Sequence, residues 1–146
     1  MPRDNKILRV IFDTNVLAAA LRSKRGASFA LVSLLPSTKF ELAVSLPLYL
    51  EYLDVLTRTE IKPAGISDAD ISNFVGEITR YAQTQNIYFL WRPWLRDEKD
   101  DMILELAIAS QADYIVTFNL KDFQNIEIFG VEAISPADFL TLVKNL

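Results

Sequence analysis

Asp13 closes a strand-like apolar run and stands directly before helix-like sequence, in Ile7-Leu8-Arg9-Val10-Ile11-Phe12-Asp13-Thr14-Asn15. A carboxylate there lies at the carboxyl end of a buried strand, where open α/β sheets place their ligands. A second acidic group, Asp97-Glu98-Lys99-Asp100-Asp101, opens another apolar helix far along the chain. Carboxylates drawn together from distant points repel one another unless a cation lies between them. Asp13 is therefore the natural first ligand of a divalent-metal site. Taken singly it serves equally well as a helix N-cap. Thr14 and Asn15 put small polar groups at the same bend, able to orient a carboxylate or hold a metal-bound water.

Further candidates follow in chain order. Glu51, in Pro47-Leu48-Tyr49-Leu50-Glu51-Tyr52-Leu53, is an acid among apolar neighbours; it either points to the sheet edge or is a solvated residue of an amphipathic helix. Asp97 suits an N-cap with Asp100 at the third helical position, a variant of the capping box, and Asp97 and Asp101 are also one turn apart. Capping accounts for one or two acids, whereas four acids in five residues invite a cation. Thr117 and Asn119 occupy the end of a later buried strand, a position equivalent to that of Asp13, and Asp122 follows. Asn119 is equally suited to a turn.

The chain contains no histidine and no cysteine. That excludes imidazole acid–base chemistry, histidine triads and the usual zinc sites. Hydrolysis is left to carboxylates, alone or with a hard cation such as Mg²⁺ or Mn²⁺. A net charge of −4 argues against a passive nucleic-acid coat, though an acidic metal pocket can carry much of that charge. The absence of cysteine fits a reducing interior and a cytoplasmic location. The polar start is unlike a signal peptide, and no apolar run approaches the ~20 residues of a membrane span.

The elements that must position these residues alternate. Strands are expected at residues 7–12, Phe40–Ser45, Ile87–Trp91, Asp113–Phe118 and Glu132–Ile134. Helices are expected at Asn15–Arg22, Ser28–Leu35, from Leu46 to Arg58, from the Ser67 cap to Thr84, from Asp97 to Gln111 and after Ser135-Pro136. With 146 residues and 51% hydrophobic content, this reads as one domain over 1–146. The fold class is α/β, three layers around a mostly parallel sheet.

Together these pieces resemble the PIN-domain family of metal-dependent nucleases, in particular its VapC-like toxins. The resemblance rests on Val10-Ile11-Phe12-Asp13-Thr14-Asn15-Val16-Leu17, on Glu51, and on the run from Asp97 through Asp100-Asp101-Met102-Ile103-Leu104-Glu105-Leu106 to Ala107. It continues in Ala112-Asp113-Tyr114-Ile115-Val116-Thr117-Phe118-Asn119 and closes with Ile134-Ser135-Pro136-Ala137-Asp138-Phe139-Leu140. It implies Asp13, Glu51 and Asp100 as metal-binding acids, Asp97 or Asp101 as close support, and Thr117 as the family's hydroxyl. Asn119 stands where a fourth acid is usual; its amide can bind a metal but brings no charge, and Asp122 substitutes only if its loop folds back. The implied activity is Mg²⁺- or Mn²⁺-dependent cleavage of single-stranded or looped RNA, by a homodimer silenced by a small antitoxin protein.

Arg22, Lys24 and Arg25 cluster in one turn and are candidates for RNA phosphates next to the metal pocket, or form a solvated turn. Trp91-Arg92-Pro93-Trp94-Leu95-Arg96 interleaves aromatics with arginines, for which packing outweighs base stacking. The helix around Tyr49, Tyr52 and Leu53 is a candidate partner surface. A phosphoacceptor receiver lacks its paired acids and its acceptor Asp here, and a haloacid-dehalogenase-like phosphatase would need Asp where Asn15 stands. The competing readings are an inactive scaffold of the same fold and a housekeeping processing nuclease.

Overall fold

The computed structural model describes residues 6–86 and 94–146. The expected strand Ile87–Trp91, along with Arg92 and Pro93, lies outside the described residues.

The sheet has five parallel strands in the order β3-β2-β1-β4-β5. They are β1 (Leu8–Phe12), β2 (Phe40–Val44), β3 (Gln83–Thr84), β4 (Tyr114–Val116) and β5 (Glu132–Ile134). β1 is central, and its Val10, Ile11 and Phe12 are wholly buried, so the continuous apolar run reflects burial on both faces. Burial of each such side chain contributes about 1.5–3 kcal/mol, which anchors the strand that presents Asp13.

The helices are α1 (Thr14–Arg22), α2 (Ala27–Ser33), α3 (Leu46–Leu56), α4 (Asp68–Thr79), α5 (Glu98–Ser110) and α6 (Pro136–Lys144). They flank the sheet in a three-layer α/β arrangement. α5 packs across β1, β2 and β4, while α1 contacts α2 and α3, and α2 contacts α6. Caps set most helix starts. Ser45, Ser67 and Ser135 each accept a bond from the third residue of their helix, and Ser67 with Asp70 forms a full capping box.

Two expectations about these elements need correction. α4 ends at Thr79 rather than near Thr84, because Gln83 and Thr84 pair with Ala43 and Val44 as an edge strand. The ladder satisfies backbone groups that a longer helix would have taken from β2. Asp97 does cap α5, but its carboxylate accepts from the Lys99 amide, so no capping box joins it to Asp100. α5 ends where Gln111 adopts a left-handed conformation, φ 57°, which turns the chain into β4. Two short 3₁₀ turns, Leu120–Phe123 and Glu127–Phe129, lie between β4 and β5 and have no counterpart in the apolar periodicity.

Candidate functional site

β1 is followed by β2 on one side of it, and the chain later returns to place β4 on the other. The crevice between the carboxyl ends of β1 and β4 is thus a topological switch point, where α/β sheets bind ligands. Asp13 and Thr117 are the residues that immediately follow these two strands.

Asp13 has extended backbone geometry and caps α1, accepting a 2.8 Å bond from the Thr14 amide through Oδ1. Its Oδ2 accepts a 2.8 Å bond from the Thr117 hydroxyl. Thr117 is fully buried, and its Oγ1 in turn accepts from the Asn119 amide at 3.0 Å. The Asp13 amide donates to the Val116 carbonyl, and Asn15 Oδ1 accepts from the Phe118 amide at 3.4 Å. The β1–α1 turn is therefore stitched to the end of β4 at successive points. Cap and site coincide at Asp13: one oxygen holds the helix while the carboxylate stays half-buried at the crevice.

The remaining acids gather electrostatically. Asp100, half-buried in the first turn of α5, has its pKa pushed up to about 7, first by burial and then by the charges of Asp13, Asp97, Asp122 and Asp101. Asp13 is also held above the ordinary carboxylate value. Burial is the main cause, opposed by the bonds from Thr117 and Thr14 and reinforced by Asp122 and Glu51. Asp122, carried back by the first 3₁₀ turn, thus acts on both central acids. Glu51 is largely covered and lies 3.7 Å from the Lys99 ammonium, which places a cation of the chain's own beside it.

Other candidates have different surroundings. Asp101 Oδ1 accepts from the amides of Trp94 and Leu95, at 3.1 and 2.8 Å, and so ties down the segment leading into α5. Asn119 is exposed, with its amide nitrogen of the backbone engaged by Thr117. Arg22, Lys24 and Arg25 are exposed and form no ion pair among the described residues. They lie a full helix from Asp13, about 14 Å along α1 at 1.5 Å per residue. Trp94 packs edge-on against Phe129, with centroids 5.2 Å apart. The expected partner face of α3 is corrected: Tyr52 is buried and Tyr49 and Leu53 are partly covered, whereas Leu46 and Leu50 are 66% and 52% exposed. Their i, i+4 spacing makes the outward stripe of the helix.

Tyr52 and Lys99 are the site neighbours that sequence reasoning missed. Tyr52 donates a 2.6 Å hydrogen bond to the Phe12 carbonyl, and burial, then the Asp13 charge, raises its phenol well above the ordinary range. The available signal was a tyrosine directly after Glu51 in a mostly apolar helix. A broad hollow at the amino ends of the strands, lined by Lys6, Lys39, Asp113, Tyr114 and Glu132, lies at the other end of the sheet. There Asp113 accepts from Lys6 and from the Arg9 amide, a structural tie.

The donor set at the crevice consists of carboxylate, amide and hydroxyl oxygens, with no nitrogen or sulfur ligand. That chemistry fits a hard divalent cation, which would offset the burial and the acidic neighbours that raise Asp100 and Asp13. Among the described residues, no three acids stand close enough together to form a ready ligand cluster.

An α/β sheet with a carboxylate and a hydroxyl bonded across its switch point defines a fold and site type, and the sequence comparison supplies the family. Residues 9–121 match the PIN domain, and the chain belongs to that family. PIN domains are in general nucleases that work with divalent metals. Among solved structures, the chain is similar to one in the crystal structure of VapBC2 from Rickettsia felis bound to a DNA fragment from their promoter. The two share 16% identity and a TM-score of 0.62, over 88% of this chain and 98% of that one, a likeness that shows the fold. No curated protein matches the sequence. No helix among the described residues is long and apolar enough to cross a membrane.

Proposed function

We propose that this chain is a metal-dependent endoribonuclease and the toxin of a toxin–antitoxin pair. The observation that carries the reading is the Asp13–Thr117 pair at the β1/β4 switch point, joined by an Asp100 whose carboxyl is pushed up to about 7 by burial and by acidic neighbours that include Asp13. Asp13, Glu51 and Asp100 would hold Mg²⁺ or Mn²⁺, with Asp97 beside them and Asn119 or Asp122 completing the shell. When bound, such an ion offsets phosphate charge and lowers the pKa of a coordinated water.

The chain's own residues supply position. Thr117 and the Thr14 amide orient the Asp13 carboxylate. Asp101 fixes the segment before α5 and thereby the approach to Asp100. Hydrolysis adds water at phosphorus, breaks the bond to the 3′-oxygen and leaves a 5′-phosphate and a 3′-hydroxyl. Arg22, Lys24 and Arg25 contact phosphates of single-stranded or looped RNA at a distance from the cleavage point.

The similarity to a chain from a VapBC2 complex supports a small antitoxin protein as partner, and the exposed Leu46–Leu50 stripe supports a second surface for a homodimer. A toxin of this kind acting on cellular RNA would work in the cytoplasm. Asp13→Asn and Asp100→Asn should each reduce Mn²⁺-dependent RNA cleavage to background with an unchanged circular-dichroism spectrum. Full activity in both variants would overturn the metal-site reading. The uncharged Asn119 and the open spacing of the acids favour one alternative, a scaffold without activity. Wild-type protein inert with every divalent ion would support it. Growth arrest on expression, relieved by the product of an adjacent short reading frame, separates a toxin from a processing nuclease.

A further inference from the structure

Tyr52 directly follows Glu51 on α3, yet its ring is buried in the core and its hydroxyl bonds the Phe12 carbonyl at 2.6 Å. The other half of that same peptide unit is the Asp13 N–H, which donates to the Val116 carbonyl at 2.9 Å. Pairing of β1 with β2 ends at Val10↔Leu42, two residues short of Phe12. The end of β1 is therefore held on one side by β4 and by a single side chain from α3. Glu51 rides on the same helix, one residue before that side chain.

We propose that Tyr52 is a positioning residue for the site: by clamping the Phe12–Asp13 peptide to α3, it sets the separation and orientation of Asp13 relative to Glu51. The role rests on the metal-site reading above and gives Tyr52 no contact with substrate. Side chains that orient ligands through one intermediate atom often matter nearly as much as the ligands. A buried carbonyl that loses its donor also seeks a new one, and the nearest way to find it is to rotate the peptide that carries Asp13.

Tyr52→Phe keeps the ring and removes the donor. Mn²⁺ binding to the RNA-free protein, followed by calorimetry, should weaken by about tenfold, in the range seen for groups that support metal ligands. Amide hydrogen exchange should quicken at Asp13 and Thr14 more than elsewhere in the sheet. In cleavage assays, kcat at fixed Mn²⁺ should fall with KM for RNA unchanged, and excess Mn²⁺ should restore much of it. Ile78→Val, a core change on α4, serves as the control for general loosening. Wild-type Mn²⁺ affinity in Tyr52→Phe, or exchange changes spread as in Ile78→Val, would overturn the proposal. If Tyr52→Phe does not fold, 4-aminophenylalanine at position 52 restores a donor, and its failure to hold wild-type protection at Asp13 would count against the role. If the wild type binds no divalent ion, the metal-site reading fails, while the exchange comparison at Asp13 still decides whether Tyr52 fixes that peptide.

Discussion

Asp100 shows how the site's composition is felt by one carboxyl group. Its pKa rises to about 7 in the folded chain from an ordinary 3.8, first through burial and then through neighbouring acids. A carboxyl whose folded value is raised binds more protons folded than unfolded between those two pH values. Folding stability contributed by this group therefore falls as pH rises from about 4 to about 7. The raised Asp13 acts in the same direction. In EDTA the melting temperature should drop across that window, and Asp100→Asn should flatten the slope. Mn²⁺ should restore stability chiefly above pH 7, because below it the ion competes with a proton. A slope unchanged in Asp100→Asn would show that other groups govern it.

At the scale of elements, the first turn of α5 separates two adjacent aspartates by task. Asp101 accepts two amides of the preceding segment through one oxygen, whereas Asp100 is acted on by burial and by the charges of Asp13, Asp97 and Asp122. Asp101→Asn keeps a carbonyl acceptor at that place and should retain most RNA cleavage. Asp101→Ala should cost about 1–2 kcal/mol in urea denaturation by leaving those amides without their partner. Asp100→Asn should show the opposite pattern, losing activity with little loss of stability. Equal effects of Asp100→Asn and Asp101→Asn on cleavage would erase the distinction. At α1 the contrast is of distance. The helix starts at Asp13 and ends at Arg22, so the basic turn begins a helix length from the crevice and would meet RNA phosphates removed from the reacting one. Replacing Arg22, Lys24 and Arg25 together with Ala should lower the slope of log affinity against log salt by about 2, at roughly 0.7 per single-strand phosphate contact. An unchanged slope would make that turn merely solvated.

Across the whole molecule, the parallel α/β architecture was legible because buried strands and capped helices leave strong local marks. Val10-Ile11-Phe12 could hardly be anything but a central strand, and Ser67 and Ser135 announce their helices. Asp13 and Thr117 were legible as strand-end residues for the same reason. Gln83–Thr84 was not, since two exposed polar residues become a strand only because β2 is there to pair with them. Tyr52 was misplaced on a surface because α3 is apolar nearly all round, so periodicity does not say which side faces the core. The division of labour between Asp100 and Asp101 was hidden too, for it depends on where a neighbouring loop presents its amides.

The sheet's margins carry a last consequence. As described, its outer strands are only two residues long at β3 and three at β5. Such brief edges offer an incoming chain few unpaired backbone groups, which discourages edge-to-edge growth and the aggregation that follows from it. Among the described residues, a second copy meeting this sheet finds little backbone to extend. The surfaces more open to association among the described residues are helix faces, where charge and shape can discriminate between a proper partner and a chance encounter.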